Sequence, residues 1–384
     1  MAGNAKLGAA KNAKKDEFYT QYSDIEAEMN AYVEYDPDVF RGKTILLPCD
    51  DPEWSNFTKY FAANFERFGL KKLISTSYAK GAGNKQLSLF EAESPLYDEK
   101  LHETRGKLFT LIRDTDGSGN IDTDDIEFSG YLEGDGDFRS PEVCKLRDEA
   151  DIIITNPPFS LFREFLAWII EGNKLFSIIA NQNAITYKEV FPLLKDNVIW
   201  LGQGFKSNVG YFSAPEYEDY ASAGQHKEGF IRVSGVMWFT NLDLCKRHEY
   251  LLLDTMVHNL KFNKKLKKKL LEEYAVEAYP HYDNYDAIEV PFTECIPSDY
   301  NGVMGVPITF MDKYNPDQFE ILGMCENEDL YGLKTRRYTT QECRDRYFEL
   351  FKKPGTYDLN ASGVVHGSKV YQRILIRHKK GADV

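Results

Sequence analysis

The apolar positions of the chain fall into short β-branched runs separated by helical patterns. The clearest run is Asp-Ile-Ile-Ile-Thr-Asn-Pro-Pro-Phe-Ser at 151–160. Residues 151–155 have charge before them and prolines soon after, which predicts a buried central strand of a parallel sheet. Upstream, 43–47 and 73–78 predict two more strands. Residues 108–112 and 126–132 alternate and predict a strand pair. Downstream, 174–180 predicts the next parallel strand, 197–201 another, and 230–239 a closing strand pair. Helical patterns lie between them. Ser23 precedes a helix with acids in its first turn, and Ser55 caps a helix over 56–65. Residues 141–150 form a charged helical turn, 160–172 is amphipathic with Gly172 as its stop, and 185–194 predicts a helix. The order is that of an α/β fold with a Rossmann-like sheet.

The central run also carries chemistry. Pro157 and Pro158 supply no N–H and fix φ, so the chain leaves the strand in a stiff loop. Loops at the carboxyl ends of parallel strands are where α/β sheets keep their ligands. Asn156 offers a side-chain carbonyl, Pro157 a backbone carbonyl and Phe159 a flat apolar face. Two acceptors and a ring suit a planar substrate with an exocyclic amino group, such as adenine. The acceptors would draw the nitrogen lone pair out of conjugation, ready to attack an electrophilic methyl. A strand ended by an ordinary proline turn is the competing reading. The isoleucines before it and the aromatic after it weigh against that.

Three other segments join this one. Pro48-Cys49-Asp50-Asp51-Pro52-Glu53 follows the first strand with no Gly-x-Gly and three acids. It would repel a phosphate and welcome an ammonium, such as that of S-adenosylmethionine. Ser75 and Thr76 put hydroxyls where ribose-binding folds commonly place an acid. Phe18, Tyr19 and Thr20 suit either a cofactor pocket or core anchoring.

Length and charge narrow the partners. The 384 residues suffice for two domains, and 42% hydrophobic content supports a sizeable core. No run of 18 apolar residues is present and the N-terminus lacks a hydrophobic signal core, so no membrane segment is expected. Six scattered cysteines without Cys-x-x-Cys predict reduced thiols and a cytoplasmic protein. A net charge of −13 disfavours a wholly basic nucleic-acid binder, but not local patches. Basic clusters at 260–271, 334–338 and 369–380, interleaved with Tyr279, Tyr282 and Tyr285, predict a DNA surface that includes Arg336, Arg337 and Arg373. The bland alternative pairs Arg336 and Arg337 with acids such as Glu342 and Asp345. Residues 114–125 approach a calcium loop, but their flanks alternate like a hairpin. Asp125 is also one methylene short of the usual glutamate, so no metal is expected.

On these residues the sequence resembles the DNA adenine-N6 methyltransferases, and more closely the EcoRI-type adenine-specific family, over roughly 15–378. The resemblance gives Asn156, Pro157, Pro158 and Phe159 to the flipped adenine. It gives Phe18, Tyr19 and Thr20 and the degenerate loop of Pro48, Cys49, Asp50 and Asp51 to S-adenosylmethionine. Through the Gly-Asp-Phe-Arg-Ser segment at 136–140, Asp137 would accept from the cofactor's adenine amino group with Phe138 beside the ring. Two departures are the missing Gly-x-Gly and the missing acid after the second strand. The resemblance implies a seven-stranded S-adenosylmethionine-dependent methyltransferase sheet over 16–250; the stretch at about 80–135 reads from its own residues as a hairpin insertion that the family does not account for. A flexible basic arm at 1–15 would precede it. An α+β region over 251–384 would read double-stranded DNA. A cognate restriction endonuclease is a possible partner. The implied reaction is direct methyl transfer without a metal. Kept beside it are a methyltransferase acting on RNA or protein glutamine, a catalytically silent DNA-binding protein, and a calcium-binding regulatory module.

Overall fold

Every residue of Ile152–Thr155 is buried, as is every residue of Thr44–Leu47. Strands this apolar on both sides need neighbours and covered faces. The computed structural model describes residues 19–48, 50–52, 55–79, 94–213 and 230–379. Its strands are β1 (Tyr19–Thr20), β2 (Thr44–Leu47), β3 (Lys72–Ser77), β4 (Lys107–Leu111), β5 (Glu127–Tyr131), β6 (Ile152–Thr155), β7 (Leu175–Asn181), β8 (Trp200–Leu201), β9 (Val209–Ser213), β10 (Phe230–Ser234) and β11 (Val236–Thr240). A second group is β12 (Ile288–Glu289), β13 (Met304–Pro307), β14 (Phe319–Met324), β15 (Val364–Val365), β16 (Ser368–Lys369) and β17 (Arg373–His378).

Among the described residues the main sheet has eight strands in the order β5-β4-β3-β2-β6-β7-β11-β8. The four strands β3, β2, β6 and β7 are mutually parallel, and the flanking strands are antiparallel. The chain leaves β2 toward β3 and later returns on the other side of β2 as β6. The strand order therefore reverses between β2 and β6. At such a switch point the carboxyl ends diverge and open a crevice.

Sequence chemistry explains the covering helices. Ser55 caps the helix Asn56–Ala63 by accepting from the amides of Phe57 and Thr58. That helix and the turn after it bury Phe57, Tyr60, Phe61, Phe65 and Phe68 with Phe40, Ile45 and Leu47. The helix Phe162–Glu171 buries Phe162, Phe165, Leu166, Trp168 and Ile169 and stops at Gly172. Glu28, on the helix Tyr22–Tyr35, is 1% exposed. Its carboxylate accepts from the Tyr32 hydroxyl at 2.5 Å and from the amides of Gln203 and Gly204 at 3.1 and 3.0 Å. A buried acid is thereby satisfied by fastening the loop after β8 to the N-terminal helix.

Three expectations change. The sheet has eight strands, because the segment read as an insertion joins it: β4 pairs with β3, and β5 extends the edge. Residues 230–239 are not one closing pair. Gly235 at φ 70 turns the chain, leaving β10 in a small sheet with β9 and β1 while β11 joins β7. Residues 185–194 form no single helix. The Asn181 side chain caps a short 3₁₀ turn at Gln182–Thr186, and a separate helix spans Phe191–Lys195.

The chain divides into two compact units, Met1–Phe191 with Val198–Cys245, and Pro192–Asn197 with Lys246–Val384. The second unit is α+β. It has a four-stranded sheet, β12-β13-β17-β14, and the helices Met256–Phe262, Lys264–Lys269 and Thr340–Phe351. No helix among the described residues is long and apolar enough to cross a membrane.

Candidate active site

The carboxyl ends of β2, β3 and β6 are tied together through Asp50. Its carboxylate accepts from the Ser55 hydroxyl and from the Thr155 hydroxyl, both at 2.7 Å. Its backbone carbonyl accepts from Thr58 at 3.2 Å and from Ser75. Asp50 is 7% exposed, so these bonds act in a low dielectric where an unmatched carboxylate would be costly. One residue thus fixes the loop after β2 to the end of β6, to the end of β3 and to the start of the Asn56–Ala63 helix. Asp51 is half-buried and Pro48 buried. Ser75 is 2% exposed and Thr76 fully buried, so the hydroxyls read as ribose contacts lie inside the strand end.

The stiff loop emerges from this tied edge. Residues 156–158 carry no regular structure, and a 3₁₀ turn at Phe159–Leu161 leads into the helix Phe162–Glu171. Pro157 is buried, Asn156 and Pro158 are half-buried, and Phe159 packs partly against the main core. The loop stands beside β2, at the crevice the strand order creates.

The 135–139 segment reaches the same edge. Gly136 sits at φ 89, and a Cβ there would lie 2.5 Å from the Ser77 carbonyl oxygen, so only glycine allows this approach to the end of β3. The Asp135 carbonyl accepts from the Ala79 amide at 2.8 Å. Asp137 forms a fork with Arg139, at 2.9 and 2.6 Å. Arg139 also pairs with Glu164 at 2.7 Å. Phe138 is 4% exposed and packs edge-on against Phe165 and Trp168 at 5.0 and 5.6 Å. The segment is thereby locked to the helix that follows the Asn156 loop.

Thr20 arrives by a third route. It pairs with Phe212 in the β1–β9 ladder, and its carbonyl accepts from the Asn56 side chain at 2.7 Å. Thr20 is 2% exposed, yet its hydroxyl has no hydrogen-bond partner among the described residues. Buried hydroxyls are rarely left so. Tyr19 is half-buried beside it, while Phe18 and Cys49 lie outside the described residues.

The expected DNA-contacting arginines all lie in the second unit. Arg373 needs correction: it is 5% exposed and paired with the fully buried Glu289 at 2.6 Å. The Tyr274 hydroxyl donates to the same carboxylate at 3.0 Å, and the Tyr282 hydroxyl also donates to it. A buried carboxylate needs this guanidinium, so Arg373 belongs to the core of the second unit. Tyr279, Tyr282 and Tyr285 are buried too and offer no stacking surface. Arg336 is exposed, pairs with Glu342 at 2.5 Å and lies over the Tyr338 ring at 4.5 Å. Arg337 donates to the Glu328 carbonyl at 2.9 Å.

The calcium-like loop is a hairpin tip between β4 and β5. Asp114, Asp116 and Asp125 cluster there. Asp114 accepts from the amides of Gly117 and Gly119, and Asp125 from those of Thr115, Asp116 and Asp122. Sequence reasoning missed Thr155 and Thr58 as fasteners of Asp50, and Glu28 as a buried anchor. The available signal was a hydroxyl or an acid at a position that the apolar pattern makes interior.

A family model described as adenine-specific methyltransferase EcoRI matches residues 6–379. The Type II methyltransferase M.EcoRI of Escherichia coli is 45% identical over 326 residues, covering 84% of this chain and 89% of that protein. M.MpnI of Mycoplasma pneumoniae is 32% identical, with 86% of this chain and 89% of that protein covered. M.MgeORF184P of Mycoplasma genitalium is 31% identical, with 97% and 98% covered. No solved structure matches significantly. With a family model spanning nearly its whole length and relatives this similar, the chain belongs to the EcoRI-type family of adenine-specific methyltransferases and is an enzyme of that class.

Proposed function

We propose that the protein methylates N6 of adenine in double-stranded DNA at a specific site, using S-adenosylmethionine, at the β2/β6 edge. The single observation that carries this reading is the Asn-Pro-Pro-Phe loop leaving β6 at the strand-order reversal, beside a loop fastened through Asp50. The strands β4-β3-β2-β6-β7-β11-β8 would be the seven of a methyltransferase sheet, with β5 added at its edge.

The cofactor fits the residues present. The partnerless buried hydroxyl of Thr20 calls for a polar ligand, and Tyr19, Pro48, Asp50, Asp51, Asp137 and Phe138 lie on segments that reach the same edge or its approach. S-adenosylmethionine supplies an electrophilic methyl on a sulfonium. Asn156 and the Pro157 carbonyl hold the adenine amino group, and Phe159 stacks on the base. Their acceptors localise the nitrogen lone pair and orient it, so catalysis is mainly positioning and electrostatics. The base reaches them by leaving the helix stack, at a cost of a few kcal/mol. The second unit supplies DNA recognition, in the cytoplasm. The Type II names of the relatives fit a partner endonuclease reading the same site.

The test is incubation of the purified protein with plasmid DNA and methyl-labelled S-adenosylmethionine, followed by digestion to nucleosides. Label in N6-methyldeoxyadenosine is expected. Label in a cytosine product, or only in RNA or protein supplied in competition, would overturn the reading.

A further inference from the structure

On the strands of the first unit, two buried side chains carry a polar atom with no hydrogen-bond partner among the described residues. They are the Thr20 hydroxyl on β1 and the Trp238 indole N–H on β11. Thr20 is 2% exposed and Trp238 is fully buried. An indole N–H only donates, and a buried tryptophan usually finds an acceptor for it. The neighbours of Trp238 supply none. Its ring meets Phe57 edge-on at 6.0 Å and lies parallel to Phe205 at 5.8 Å. The residue opposite it on β7 is Ile179. The buried Glu28 accepts from Tyr32, Gln203 and Gly204 instead. The backbone is held where it is, because β11 is paired on both sides and the Trp238 carbonyl accepts from the Gly202 amide at 3.0 Å.

The two groups are joined by a closed circuit of contacts. Phe57 follows Asn56, whose side chain donates to the Thr20 carbonyl at 2.7 Å. Phe205 lies 6.2 Å from Phe212, which pairs with Thr20 in the β1–β9 ladder. From Trp238, the path through Phe57 and the path through Phe205 both arrive at Thr20. Both groups can donate, so together they suit one acceptor. The circuit includes the first turn of the helix Asn56–Ala63, whose cap Ser55 donates to Asp50. S-adenosylmethionine has an amino-acid end that carries an ammonium and a carboxylate. Asp50 and Asp51 attract the ammonium and repel the carboxylate. The carboxylate therefore turns to neutral donors, and hydrogen bonds to a charged acceptor are the strong ones.

We propose that the Trp238 N–H and the Thr20 hydroxyl donate to the carboxylate at the amino-acid end of S-adenosylmethionine, which makes Trp238 a cofactor-binding residue. The two donors complete their own hydrogen bonding only when the cofactor is bound. They sort the two charges of the amino-acid end, with the carboxylate on the β1–β11 side and the ammonium toward the loop after β2. This inference rests on the S-adenosylmethionine reading of the site.

The test uses the full chain and two probes. S-adenosylhomocysteine carries the amino-acid end, and 5′-methylthioadenosine lacks it. In wild-type protein with isotope-labelled indoles, the chain has four tryptophans. The Trp238 N–H resonance is the one that persists in variants replacing each of the other three. It is expected to move downfield and exchange more slowly with S-adenosylhomocysteine, and to stay in place with 5′-methylthioadenosine. By calorimetry, Trp238→Phe, which keeps a ring and loses the N–H, is expected to weaken S-adenosylhomocysteine about tenfold. Its affinity for 5′-methylthioadenosine stays within about twofold of wild type, and Thr20→Val shows the same selective loss. A resonance unmoved by either probe would overturn the proposal and leave the N–H to a buried water. A resonance moved equally by both, or equal losses of affinity for both, would also overturn it, since the carboxylate would not be the acceptor. The spectrum decides on wild-type protein if Trp238→Phe fails to fold. A wild type that binds neither S-adenosylmethionine nor S-adenosylhomocysteine overturns the underlying reading instead.

Discussion

The loop after β2 and the tip of the β4–β5 hairpin are both acidic and both follow strands of one sheet, yet their carboxylates are matched in opposite ways. Asp50 takes its hydroxyls from Ser55 and from Thr155, 105 positions away, and its carbonyl takes another from Ser75. Asp114 and Asp125 take amides from within ten residues of themselves. A carboxylate satisfied from afar holds distant segments in one geometry, which is what a site requires. A carboxylate satisfied by its own loop folds that loop and little else. The second unit repeats the contrast. Glu289 and Arg373 are 84 positions apart and buried, whereas Arg336 and Glu342 are six apart and exposed.

The contrast makes ordered predictions. Arg373→Ala leaves the Glu289 carboxylate buried without its cation and should destabilise the second unit by about 3–5 kcal/mol. Urea unfolding measures this, and an unchanged midpoint would break the contrast at its strongest point. Asp50→Ala strands the Ser55 and Thr155 hydroxyls and should cost about 1–3 kcal/mol, with methyl transfer falling further than stability accounts for. Asp50→Asn, which keeps an acceptor, should recover part of both. Asp125→Ala should loosen only the hairpin, read as faster hydrogen exchange in β4 and β5 with methyl transfer unchanged. Loss of activity equal to that of Asp50→Ala would erase the distinction.

The same tip has a pH signature. Asp114 is held below the ordinary carboxylate range by the amides of Gly119 and Gly117. Burial pushes Asp125 up, but the amides of Thr115, Asp122 and Asp116 and the Thr115 hydroxyl hold it below that range. A carboxyl with a depressed folded value gives stability that is complete above its unfolded value, about 3.9. That stability is lost as pH falls through the lower folded value. Protection of the tip should therefore persist to about pH 4 and fall below it. With its carboxylates already matched by amides, the tip should bind no calcium below about 1 mM by calorimetry. A micromolar isotherm removed by Asp114→Ala would contradict this.

What could be read in advance follows the same division. The parallel strands were legible because an apolar run between charge and prolines has few other readings, and Ser55 announced its helix locally, whereas Ser23 lies inside the helix Tyr22–Tyr35 and does not cap it. Arg373 was misread because its cluster looks solvated in one dimension. Its partner Glu289 lies on another strand, and nothing near Arg373 reports it. The hairpin was legible as a hairpin, but its pairing with β3 depends on a register between segments 30 residues apart. Gly235 gave no sign that β10 and β11 enter different sheets, since an isolated glycine in a strand pattern reads as a bulge as readily as a corner.

The central claim, that the loop after β6 holds the adenine while other segments hold the cofactor, is tested most directly by Asn156→Ala with two readouts on one preparation. Transfer of labelled methyl to DNA should fall by about 10²–10³-fold, the loss typical of removing one polar group aimed at the reacting centre. S-adenosylmethionine affinity by calorimetry should stay within about twofold of wild type. Equal losses in transfer and in cofactor affinity, or transfer at the wild-type rate, would contradict the account.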